Sequence, residues 1–160
     1  MLSSMIWLDV DDVIADFSGY MENIIGPLEP GFGWGIGGEF MRKHKVQWLE
    51  LRPTLWAREL LDLVRSKGGN YGYLTACIHQ DRKFWLEWFD PGCTIVCTNN
   101  KGSVLKKGDI IIDDNPDLTW QAAIVRCPAK WWTTVGTTRM VMKRLSERLD
   151  ECVSIQEGKS

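Results

Sequence analysis

Two hydrophobic patterns alternate along this chain. Short, unbroken apolar runs recur at residues 5–8, 71–75, 94–97, 109–113 and 123–127, each closed by polar or turn-forming residues. Runs of this length predict strands covered on both faces. Between them, apolar residues return every three or four positions, as on one side of a helix. Residues 13–25 place Val13, Phe17, Tyr20, Met21 and Ile24 near one face, and Gly26-Pro27 stops the run. Residues 39–51 read as a second helix. Pro53 fits the first turn of a third, running to Lys67 with Leu55, Leu60, Leu61 and Val64 as its apolar stripe. Residues 80–89 form the next, with Phe84, Trp85, Trp88 and Phe89 turned inward. Residues 99–105 read as a short connector, 116–121 as a brief helix and 136–152 as the closing helix.

Strands that alternate with helices predict an α/β fold: a Rossmann-like three-layer α/β/α sandwich around a five-stranded parallel sheet, with right-handed crossovers. Residues 1–160 read as a single domain. Its one irregularity is residues 18–52, which hold the glycine-rich run 30–38 and read as a small cap insertion after the first strand. Parallel sheets bind ligands beyond the carboxyl ends of their strands. An insertion there is placed to cover a site.

The strand ends carry the candidate chemistry. The first strand ends in Asp9, Asp11 and Asp12. Carboxylates crowded at the end of a buried strand repel one another and are costly to desolvate. A cation or a reaction explains three of them better than a helix cap, which accounts for one. The second strand ends in Thr75. The third is followed by Thr98, Asn99, Asn100 and Lys101, and the fourth ends in Asp113 and Asp114. Singly, Thr75 is a turn residue, Lys101 a solvated lysine and Asp114-Asn115-Pro116 a helix entry. Together they put acids, a hydroxyl and a lysine on one edge.

In that order, Asp9-x-Asp11, Thr75, Lys101 and Asp113-Asp114 resemble the four motifs of the haloacid dehalogenase superfamily of phosphotransferases. Residues 9–17, 51–53, 74–75, 98–101 and 112–117 are most similar to the 5′(3′)-deoxyribonucleotidases. The resemblance implies a Mg²⁺-dependent phosphomonoesterase acting on deoxynucleoside monophosphates. Asp9 would be the nucleophile and would form an aspartyl-phosphate, with Asp11 as acid and base. Thr75, the Ala76 amide and Lys101 would hold the phosphate. Asp9, the Asp11 carbonyl and Asp114 would hold Mg²⁺, with Asp113 behind them. Phe17 stands where the family packs a ring against the base, and core packing is its equal alternative. Trp34, Trp48 and His79 are weaker candidates for substrate contact. Three departures stand out. Asp12 occupies a position where the family often has glycine, Thr75 is followed by Ala76 rather than serine, and the insertion is short. Two alternatives follow: the same chemistry on another small phosphomonoester or a nucleic acid 3′-phosphate end, or a non-catalytic binding domain on the same fold.

Composition narrows the partners. The chain has 160 residues, 25% of them charged, and a net charge of −2, with no long basic run to grip duplex nucleic acid. No apolar run approaches membrane-spanning length, and no basic segment precedes the first strand as in a secretory signal. Five cysteines in an odd set, without zinc-type spacing, read as reduced thiols in the cytoplasm. The expected partner is a small phosphorylated substrate, and the expected state a monomer or homodimer. Most of the nine tryptophans read as packing.

Overall fold

The computed structural model describes residues 4–27, 43, 45, 47–76, 80–114, 119–127 and 138–158. Five parallel strands, β1 (Met5–Leu8), β2 (Asn70–Thr75), β3 (Ile95–Cys97), β4 (Ile110–Asp113) and β5 (Ala123–Arg126), form one sheet in the order β3-β2-β1-β4-β5. The apolar run of β1 therefore lies at the centre, paired with β2 on one side and β4 on the other. The chain reverses its direction of travel across the sheet between β1 and β4. Their carboxyl ends form the crevice where open α/β sheets take ligands.

Alternate residues of the strands feed two cores. Ile6, Leu8, Tyr73, Ile110, Ile112 and Val125 face a large cluster. To it are added residues of four helices: α1 (Phe17–Ile25), α2 (Ala57–Ser66), α3 (Asp81–Phe89) and α4 (Thr138–Gln156). Trp7, Leu74 and Ile111 face the opposite way. Leu105, Ala122 and Trp120, from connecting segments, cover them. The sheet is thus the expected α/β arrangement, with a thick helical layer on one face. Among the described residues, short connectors make up the other layer. No helix among them is long and apolar enough to cross a membrane.

Several helix limits differ from the sequence expectation, each for a local reason. Helix α1 begins at Phe17, not at residue 13. The amides of Val13, Ile14 and Ala15 all turn back to the Val10 carbonyl, and Asp16 then caps the helix by accepting from the Gly19 amide. Gly26, at φ +86°, ends it. The expected helix over 39–51 does not reach Leu51. Lys45 adopts a left-handed φ of +52°, and Trp48–Glu50 form a single 3₁₀ turn. Pro53 starts no helix; it bridges to Ala15, and α2 begins at Ala57.

That shift of phase turns Leu55 out to 78% exposure and brings Trp56 into the core, where its indole N–H donates to the Val13 carbonyl at 2.9 Å. On α3, Trp85 and Phe89 are buried as expected, but Phe84 and Trp88 point outward at 56% and 61% exposure, and Arg82 and Leu86 are buried in their place. Helix α4 continues past residue 152 to Gln156. Met21, Trp48 and Leu51 are buried in the large cluster, so both ends of the expected insertion belong to the main body. The glycine-rich run, Trp34, His79 and residues 116–118 of the expected helix at 116–121 lie outside the described residues, and 119–121 are not helical.

Candidate active site at the carboxyl edge of the sheet

The strand register brings the acids together. Leu8 pairs with Ile112, and the next amide, that of Asp9, donates to the Ile112 carbonyl at 2.9 Å. Asp9 therefore stands beside Asp113, although more than a hundred positions separate them in sequence. Carboxylate oxygens of Asp9, Asp113 and Asp114 lie within 4.8 Å of one another, and all three residues are buried. Lys101 arrives from the 3₁₀ turn Lys101–Ser103 after β3. Its ammonium donates to Asp9 Oδ1 at 2.9 Å and to Asp113 Oδ2 at 2.7 Å.

Three buried carboxylates thus crowd around one ammonium. Burial alone would lift the Asp9 carboxyl, but Lys101 more than offsets this and holds it below the usual range. Burial would lower the Lys101 ammonium, and Asp9 and Asp113 raise it instead. Burial and the charges of Asp9 and Asp113 push the Asp114 carboxyl strongly upward. A buried cluster of carboxylate oxygens this close together could hold a metal ion.

The second half of the site surrounds Asp11. Arg82 of α3, only 5% exposed, places Nη2 at 2.8 Å from Asp11 Oδ2 and Nη1 at 3.3 Å from Thr75 Oγ1. Nη1 also donates to the Ala76 carbonyl. The guanidinium lies over the Trp48 ring, 3.8 Å from its centre, and Trp48 stacks in turn on Phe17 at 5.4 Å. Burial raises the Asp11 carboxyl to about 6, against the opposing pull of Arg82.

Of the residues expected from sequence, Asp9, Lys101, Asp113 and Asp114 meet directly. Asp11 and Thr75 are joined to each other through Arg82. Thr75 is buried at the end of β2, and Ala76 beyond it is exposed. Phe17 is buried under Trp48, so its ring packs in the core and presents no face to a substrate. Asp12 lies behind the site. It accepts from the Ser18 amide and hydroxyl in the first turn of α1, whose N-cap is Asp16 and not one of the three acids. Its φ of +64° explains why a glycine suits this position: the turn between β1 and α1 needs the left-handed conformation.

Two neighbours were not singled out from sequence. Arg82, in the first turn of a helix flanked by charged residues, carries no sequence mark that separates it from a solvated arginine. Trp120, whose ring centre lies 5.9 Å from the Lys101 ammonium, is one tryptophan among nine. Comparison of the chain with models of known protein families and with curated proteins returns no match.

Proposed function

We propose that the protein is a Mg²⁺-dependent phosphomonoesterase of haloacid dehalogenase type, with deoxynucleoside monophosphates as its leading substrates. The observation that carries this reading is the Lys101 ammonium bridging Asp9 and Asp113, with Asp114 beside them and Thr75 on the neighbouring strand. A nucleophile, a counter-charge for phosphate and an acidic cation cluster share one strand edge.

In this reading Asp9, the Asp11 carbonyl and Asp114 hold the cation, and Asp113 holds Lys101 in place. The cation supplies the positive charge that lets a carboxylate approach a phosphate dianion. Lys101 binds Asp9 Oδ1 and so fixes the carboxylate that attacks phosphorus. A bond forms between Asp9 and phosphorus as the ester P–O bond breaks. Its electron pair stays on the leaving oxygen, which takes the proton of Asp11. Asp11, now a carboxylate, removes a proton from the water that attacks the aspartyl-phosphate. Phosphate leaves and Asp9 is restored. Thr75 and the Ala76 amide hydrogen-bond the phosphate oxygens, and Lys101 neutralises the group in transfer. Cys93, Cys127 and Cys152 are free thiols, which suits a reducing cytoplasm.

Hydrolysis of p-nitrophenyl phosphate with Mg²⁺, and its loss with EDTA, tests the chemistry. Nucleoside monophosphates and sugar phosphates assayed side by side test the substrate. A folded protein inactive at every pH would discard the catalytic reading in favour of a binding domain.

A further inference from the structure

Among the described residues, three buried side-chain polar atoms lack a hydrogen-bond partner: Asp11 Oδ1, Arg82 Nε and Trp48 Nε1. All three belong to one contact group, since Arg82 pairs with Asp11 and lies on Trp48. An unpaired buried donor or acceptor costs on the order of 1–3 kcal/mol, so three in one place mark a site shaped for something other than its own stability.

The bonds that Arg82 does make are selective. It takes Oδ2 of Asp11 and leaves Oδ1 without a partner. It also gives an N–H to Thr75 Oγ1. A hydroxyl has one proton and two lone pairs. Once a lone pair is engaged by Arg82, the Thr75 proton must be directed to an acceptor elsewhere. The planar guanidinium suits this double duty, because its N–H groups are fixed relative to one another. Trp48 supports one face of the plane and the Ala76 carbonyl anchors Nη1.

We propose that Arg82 is the positioning residue of this site: it orients Asp11 so that Oδ1 exchanges the proton with the substrate, and it orients the Thr75 hydroxyl so that its proton points at a phosphate oxygen. This rests on the phosphatase reading above. The aromatic column Phe17–Trp48 serves it by holding the guanidinium plane.

The test compares wild type with Arg82→Ala and Arg82→Lys on two substrates. An alkyl phosphate, such as a nucleoside 5′-monophosphate, needs its leaving oxygen protonated. p-Nitrophenyl phosphate does not, because its leaving group is a stable anion. Arg82→Ala should lower kcat/KM, which reports the steps up to departure of the leaving group and not the later hydrolysis common to both substrates, by about 10²-fold on the alkyl phosphate and by only about threefold on p-nitrophenyl phosphate, the difference being the lost proton transfer to the leaving oxygen. Added guanidinium should restore part of the alkyl-phosphate rate in Arg82→Ala, and an equal concentration of alkylammonium should not. Arg82→Lys keeps the charge without the fork and should show the same substrate split in milder form. Equal losses on both substrates, with no rescue, would make Arg82 a packing residue and overturn the proposal. Circular dichroism reports whether Arg82→Ala folds, and Arg82→Lys decides the split if it does not.

Should folded wild type hydrolyse neither substrate, the phosphatase reading fails. The hold on Thr75 is then decided by calorimetric titration with inorganic phosphate in the presence of Mg²⁺. Binding weakened about tenfold in Arg82→Lys supports it, at a cost typical of a lost charge-assisted hydrogen bond. Unchanged binding, or none even in wild type, overturns it.

Discussion

Replacing Asp12 with asparagine should make the protein more stable at neutral pH, and by an amount that grows with pH. Asp12 is buried, and among the described residues its carboxylate accepts hydrogen bonds from the Ser18 amide and hydroxyl. Burial is the main reason its pKa rises from 3.8 to about 7; the Ser18 hydrogen bonds oppose the rise and Asp11 adds to it. The sign follows from linkage. The folded state binds this proton more tightly than the unfolded chain, so the associated stability is complete below about pH 4 and is lost as pH climbs through about 7. A rise of about three pH units corresponds to ~4 kcal/mol at full ionisation. Asparagine has no charge to desolvate and can still accept from the Ser18 amide. Among residues with a side chain it also suits the φ of +64°. Urea unfolding of both proteins in EDTA, from pH 4 to pH 8.5, measures the effect. The advantage of Asp12→Asn should be near zero at pH 4 and reach several kcal/mol above pH 7, on the order of the linkage figure. Parallel stability curves would refute the reasoning and show that Asp12 ionises freely in the fold.

Three further outcomes follow. Asp9→Asn should abolish phosphate ester hydrolysis and leave the circular dichroism spectrum unchanged, because Lys101 keeps its bond to Asp113. Asp11→Asn should keep Mg²⁺ affinity in a calorimetric titration, since its backbone supplies the ligand, yet lose about 10²–10⁴ in kcat. Lys101→Met leaves Asp9 and Asp113 without their shared ammonium. It should cost about 3–5 kcal/mol in urea unfolding with EDTA, with part of the loss recovered by Mg²⁺.

The strands along the chain and the acids at their ends were legible because both are local. A short apolar run closed by Asp or Thr marks a strand end wherever it falls, and the parallel topology then gathers those ends on one edge. The nearness of Asp9 to Asp113 needed more, since it comes from the pairing of β1 with β4, which no local pattern gives. Helix phase was less legible. In α3 both faces carry aromatics, so periodicity does not choose between Phe84 with Trp88 and Trp85 with Phe89. The choice is made by a tertiary bond, from the Trp85 indole to the Leu51 carbonyl at 2.8 Å, and by the burial of Arg82 against Asp11. The start of α1 was hidden similarly. Val13 and Ile14 are apolar at helical spacing, but the turn that follows Asp12 spends their amides on Val10. Arg82 is the main omission. A buried arginine is defined by its partners, and Asp11, Thr75 and Trp48 are scattered over distant parts of the chain.

The account rests on a divalent cation shared by β1 and the end of β4, and the most direct measurement is anomalous diffraction from crystals soaked in Mn²⁺ as a stand-in for Mg²⁺. The account predicts a single strong peak within coordination distance of the carboxylates of Asp9 and Asp114, lost in Asp114→Asn. A peak elsewhere, or none at a saturating concentration, would contradict it.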